Sequence, residues 1–156
     1  MTNDKIILSL TNTEVTRSLG VNLGRCLPAG STILLEGDLG SGKTTLVQGI
    51  GAGLGISDPI QSPTFTLISE YLEGRIPLYH FDLYRLEPKE IAGLQPEIYW
   101  EGIEFPPGIV AIEWAEKLDY KPLDYLRIRL THQGDRERIA EIYWIGNFQL
   151  NYVFTT

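Results

Sequence analysis

The sequence predicts an α/β fold, a mixed central β-sheet with flanking helices, and three features predict it. The apolar run "TILLEG" (32–37) leads into a glycine-rich loop and then a helical stretch. Two segments, 64–86 and 122–145, read as β-hairpins turning around Glu73-Gly74-Arg75 and Gln133-Gly134-Asp135. "IVAIEW" (109–114) is an apolar run closed by an acid, the pattern of a strand buried on both faces. A strand-loop-helix unit combined with hairpins needs a sheet that carries helices on its faces. With 156 residues, 43% of them hydrophobic, the chain can bury a core as one domain, expected to span 1–156.

Taken in order, "KIILSL" (5–10) is a short strand, and "TNTEVTRSLGVNLGRCL" (11–27) a helix. Thr11 or Asn12 can cap it, and Val15, Leu19, Leu23 and Leu27 recur every fourth residue along one face. "PAGS" turns the chain into the 32–37 strand. The helix that follows the glycine loop, 43–55, contains Gly49, Gly51 and Gly53. Each costs roughly 1 kcal/mol against alanine in a helix, so a neighbouring element is expected to pack closely there. "ISDPIQSP" is a loop with two prolines before the first hairpin. "PKEIAGL" (88–94) is a short helix, and 95–108 carries no regular pattern. In that stretch Tyr99 and Trp100 read as core packing, with an exposed docking surface as the alternative. "THQGDRERIAEI" in the second hairpin mixes charges of both signs and reads as a solvated ribbon.

Composition excludes some functions. A net charge of -7 and a pI near 4.8 argue against a broad nucleic-acid surface, which needs surplus Lys and Arg. DNA is not an expected partner, and any RNA would be held through another protein. The single Cys26 cannot form an intrachain disulfide. No run reaches the ~18 apolar residues of a membrane span, and the N-terminus lacks a basic start. A soluble cytoplasmic protein with no membrane contact is the expectation.

The chemistry begins at Gly37-Asp38-Leu39-Gly40-Ser41-Gly42-Lys43-Thr44, which fits G-x-x-x-x-G-K-[ST] between a strand and a helix. Glycines let the backbone curl so that successive N–H groups form an anion nest, reinforced by the positive end of the helix. Lys43 can then neutralise outer phosphates while the Thr44 hydroxyl ligates Mg²⁺. Asp38, Leu39, Gly40, Ser41, Gly42, Lys43, Thr44 and Thr45 form the expected contact set for ATP or ADP, and the fold expected is P-loop NTPase-like.

Such a loop needs an acid at the end of a neighbouring strand, to hold the metal or position water. Glu113 ends "IVAIE", and Asp82 lies in "YHFDLYRL". Both are candidates for metal and catalysis together with Lys43; for Glu113 the alternative is a solvated strand end. If the strand runs to Leu86, alternation places Asp82 on a face with His80, Tyr84 and Leu86. A buried carboxylate there needs a cation, a metal or donors, and pairing with an arginine is the structural alternative. Thr64, after Ser62-Pro63, can supply a hydroxyl to the γ-phosphate or its metal, although loop chemistry explains the "SP" equally well. His80 and Arg85 can support the site, or be a core histidine and a surface arginine. Trp114, beside Glu113, can report on the site without joining the chemistry.

"LEGDLGSGKTTL", "SPTFTL", "HFDLYRL" and "IEWAEKL", in this order and spacing, resemble the bacterial TsaE (YjeE) ATPases of tRNA threonylcarbamoyladenosine biosynthesis over roughly residues 6 to 130. The resemblance implies a small ATPase working with the TsaD and TsaB proteins. That assembly modifies the adenosine beside the anticodon of ANN-decoding tRNAs, and ATP turnover resets it. It further implies Lys43 and Thr44 on phosphates and Mg²⁺, Asp82 and Glu113 at the metal and the attacking water, and Thr64 in a switch-like loop. Rival readings of the same loop are a small-molecule kinase, for which no arginine-rich lid is visible, and a nucleotide-sensing module that does not hydrolyse.

Overall fold

The computed structural model describes residues 5–63 and 67–146. Strand β2 (Ser31–Glu36) is buried along its whole length, as an apolar strand at the middle of a sheet must be. It lies between β5 (Ile109–Glu113) and β6 (Tyr125–Gln133), parallel to both, and β5 is in turn parallel to β4 (Leu78–Asp82). Antiparallel strands extend both sides of this parallel centre. β7 (Glu137–Ile145) pairs with β6 and β1 (Lys5–Leu10) with β7, while β3 (Ile68–Tyr71) pairs with β4. The order across the seven-stranded sheet is β1-β7-β6-β2-β5-β4-β3. A mixed sheet with flanking helices is thus what the sequence predicts and what the chain forms.

Helices α1 (Thr13–Cys26) and α2 (Lys43–Leu54) cover one face. Asn12 caps α1, accepting from the Val15 amide at 2.9 Å. Of the expected stripe, Leu19, Leu23 and Leu27 are buried against Ile33, Leu35 and Leu126, while Val15 in the open first turn is 37% exposed. The glycines of α2 have the reason expected of them. A Cβ on Gly20 would lie 2.9 Å from the Gly49 Cα, and one on Gly24 3.1 Å from the Gly53 Cα, so the two backbones touch where side chains would hold them apart.

The other face carries α3 (Pro88–Leu94) and a short helix α4 (Glu97–Glu101). The latter corrects the expectation of no regular structure over 95–108. Gln95 (φ 50°) ends α3, Pro96 and Gly102 (φ 71°) cap α4, and five residues are too few to be helical on propensity alone. Aromatic packing holds it instead. Tyr99 stacks on Phe105 at 4.3 Å and meets Tyr79 and Phe81 edge-on at 5.2 Å, while the Tyr79 hydroxyl donates to the Pro106 carbonyl. Core packing is therefore the role of Tyr99. Trp100 is half-buried and stacks on the exposed Tyr120.

A second correction concerns "YHFDLYRL". Strand β4 stops at Asp82 and does not run to Leu86. The Asp82 Oδ1 accepts the Tyr84 amide at 3.0 Å, an Asx turn that competes with the ladder and bends the chain away. Tyr84 and Arg85 consequently leave the strand and are exposed.

Candidate functional site

Strands β2, β4 and β5 run parallel and end together, and in open α/β sheets the edge at their carboxyl ends is where ligands bind. Three groups of residues converge at this edge: the glycine loop after β2, Asp82 ending β4, and Glu113 ending β5 and paired in register with Asp82. The loop curls through Gly37, Gly40 and Gly42, whose φ angles are 146°, 76° and 105°. At Gly37 the constraint is also spatial, because a Cβ would sit 2.6 Å from the Ser41 hydroxyl and against the Leu130 carbonyl. α2 then starts at Lys43 with no side-chain cap on its N-terminus.

Lys43, only 5% exposed, turns back over the loop. Its ammonium donates to the Gly37 carbonyl and, at 3.1 Å, to that of Asp38, and stands 4.1 Å from the centre of the Trp114 ring. Burial lowers its pKa below the usual 10.5, against the opposing pull of Glu113, Glu116, Asp82 and Asp38. The Thr44 hydroxyl donates to Glu113, 3.2 Å from each carboxylate oxygen. Glu113 Oε2 lies 2.5 Å from His80 Nε2, and the two side chains are 3% and 0% exposed. Asp82 is held by other donors, the Ser62 hydroxyl at 2.5 Å and the Tyr84 amide. Among the described residues no arginine or lysine pairs with it, so the arginine alternative fails.

These groups line a cleft of about 250 Å³. Leu39, Gly40, Ser41, Gly42, Lys43, Thr44 and Thr45 form one wall, and Ser62, Asp82, Tyr84, Glu113 and Trp114 the other. Asp38 contributes its carbonyl to Lys43 rather than a side chain to the cleft. Thr64 lies outside the described residues. Arg85 is exposed beside Asp82, and His80 stands behind Glu113 in the core. Among the described residues no cluster of three His, Cys, Asp or Glu side chains forms a closed metal cage. Mg²⁺ needs none, since it keeps waters and substrate phosphates beside one or two protein oxygens. The Thr44 hydroxyl with Glu113 or Asp82 fits such a set, and the buried Ser41 hydroxyl, with no partner among the described residues, fits a phosphate contact.

Sequence reading passed over three contributors. Ser62 fixes Asp82, Tyr84 turns the chain there, and Arg138, from the start of β7, donates to the Gly40 carbonyl at 3.0 Å. Only Tyr84 had a local signal, because an aspartate two residues before it favours an Asx turn.

The family model described as threonylcarbamoyl adenosine biosynthesis protein TsaE matches residues 10–140. The chain belongs to the TsaE family. The tRNA threonylcarbamoyladenosine biosynthesis protein TsaE of Nostoc sp. is 62% identical over 143 residues, covering 91% of this chain and 88% of that protein. Its namesake in Bacillus subtilis is 39% identical over 137 residues, covering 87% and 84%. The crystal structure of Bacillus subtilis YdiB aligns with a TM-score of 0.77 at 32% identity, over 94% of this chain and 90% of that one. The whole cleft, from Leu39 to Trp114, falls inside the interval matched by the TsaE model.

Proposed function

We propose that this chain binds ATP and ADP with Mg²⁺ in the cleft and hydrolyses ATP in support of tRNA threonylcarbamoyladenosine formation. It would act with TsaD and TsaB proteins and reach tRNA only through them. The pathway rests on the TsaE family and the names of its relatives. The net charge of -7 agrees with leaving the RNA to partners. Among the described residues no helix is long and apolar enough to cross a membrane, and the cytoplasm is the compartment proposed.

The observation that carries the nucleotide reading is the hydrogen bond from Thr44 to Glu113. A hydroxyl that gives its proton to a carboxylate keeps its lone pairs for a cation, so Thr44 and Glu113 together present a metal-binding oxygen beside the loop. Bound Mg²⁺ would supply charge neutralisation across the phosphates. Lys43 would exchange the Gly37 and Asp38 carbonyls for phosphate oxygens and, with the loop amides, stabilise charge developing on them. Asp82, held rigid by Ser62 and Tyr84, would orient the attacking water, while Glu113 acts behind Thr44.

The test is phosphate release measured with and without TsaD and TsaB, alongside Mg·ADP binding followed by Trp114 fluorescence. Slow release alone and faster release with the partners is the expected result. Binding without release in either condition would overturn hydrolysis and leave a nucleotide-sensing module. Undetectable nucleotide binding would overturn the reading entirely.

A further inference from the structure

His80 has no exposed surface and no place in the wall of the cleft, yet the one side-chain hydrogen bond it makes among the described residues goes to the cleft's most buried acid. Nε2 is the ring nitrogen placed to donate to the carboxylate. The second ring nitrogen, Nδ1, is buried with no partner among the described residues. A histidine kept only for packing would give that space to an apolar side chain at less cost, since buried polar pairs seldom repay their desolvation. The reason for the pair lies in what it does to Glu113.

A glutamate's terminal torsion is broad and roughly two-fold, so the plane of its carboxylate is set by its hydrogen bonds. Thr44 does not set it, because its hydroxyl is equidistant, at 3.2 Å, from both oxygens. His80 does, by engaging Oε2 alone. Register places the two on adjacent parallel strands, with His80 opposite Ala111 and Asp82 opposite Glu113, so the imidazole reaches the carboxylate from within the sheet face and not from the cleft. We propose that His80 is a positioning residue, locking the Glu113 carboxylate so that the Thr44 hydroxyl proton is drawn away from the cleft and its lone pairs are kept for Mg²⁺. Asp82, held by Ser62 and the Tyr84 amide, is independent of this lock. The inference rests on the Mg·nucleotide reading of the cleft.

The test compares His80→Gln with His80→Asn in the full chain. A glutamine amide reaches about as far as Nε2 and can donate to Glu113, whereas asparagine is too short. Mg²⁺ is titrated into ADP-saturated protein with Trp114 fluorescence or calorimetry as the readout, and ADP is titrated separately in EDTA. For His80→Asn the Mg²⁺ half-saturation should rise more than about tenfold, the scale of one lost hydrogen bond to a charged group. His80→Gln should stay within about threefold of wild type, and metal-free ADP affinity should hold within about twofold for both. Equal Mg²⁺ dependence in wild type and His80→Asn would overturn the lock alone. Equal losses in both variants, with metal-free binding lost as well, would reduce His80 to a structural residue. A wild-type chain with no Mg²⁺ dependence would overturn the metal reading and the inference together. Should either variant fail to fold, the wild type still decides through its imidazole Nε2–H resonance. That proton should be slow to exchange, should be lost in Glu113→Ala, and should shift when Mg²⁺ joins bound ADP; no shift overturns the proposal.

Discussion

The two ends of α2 are finished in opposite ways. At the C-terminus, the turn between β3 and β4 supplies hydrogen-bond partners to the helix ends and to the chain that leaves α2. The Arg75 amide donates to the Leu54 carbonyl, and its guanidinium gives 2.7 Å hydrogen bonds to the carbonyls of Gly24 and Leu27 at the end of α1. Glu73 accepts the amides of Ser57 and Asp58 in the chain that leaves α2. At the N-terminus, among the described residues, no side chain caps the helix, a lysine is pressed onto loop carbonyls and an indole face, and a serine hydroxyl is buried without a partner. One end spends its charged residues on closing the fold. The other holds them where they cost stability, which is what a site ready for an anionic ligand looks like.

Lys43 is where the two ends of α2 differ most in what a substitution removes. Lys43→Ala should cost at least about 100-fold in ADP affinity, some 2.7 kcal/mol, while urea unfolding shows stability unchanged or slightly raised. The sign follows from the lowered pKa. Folding disfavours the charged form of Lys43, a penalty present at neutral pH and relieved only as pH rises toward 10.5, and losing that penalty offsets losing the hydrogen bonds to the Gly37 and Asp38 carbonyls. A large loss of stability with intact binding would reverse the roles assigned to the two ends.

Arg75→Ala tests the opposite end. Hydrogen bonds from a charged donor are worth about 1.5–3 kcal/mol. A loss of about 2 kcal/mol in urea unfolding is expected, with ADP affinity within about twofold of wild type. Weakened nucleotide binding at undiminished stability would show that the turn communicates with the cleft through α2.

How much of this was legible in the sequence follows from how local each signal is. The loop, Lys43 and Thr44 are contiguous and could be read directly, and the apolar run before Glu113 announced a central strand. Asp82 could be suspected but not explained, because its donor Ser62 is twenty residues away across a loop. The pairing of His80 with Glu113 depends on which strands lie side by side and in what register, and no residue near either one encodes it. The end of β4 was misplaced because alternation continues through Tyr84 and Leu86, while the Asx turn at Asp82 overrides it. Arg75 reads as an exposed turn residue until the helix ends it caps are known.

The smallest effect separates the two charged residues of that same turn. Arg75 reaches into the helix ends, whereas Glu73 works at the surface. Its backbone partners Asp58 and Ser57, followed by the Ser57 hydroxyl, hold its pKa below the usual 4.5. A carboxylate with a lowered folded pKa contributes stability that is fully present above the unfolded value and is lost as pH falls through the folded one. In urea unfolding at decreasing pH, wild type should therefore exceed Glu73→Gln at neutral pH, and the gap should close below pH 4.5. Trp114 fluorescence should show the same ADP affinity for both at neutral pH. A gap that persists in acid would mean that Glu73 acts through its shape and not its charge, and would make its contribution of one kind with the packing of the neighbouring Gly74 against Leu54 and Ile56.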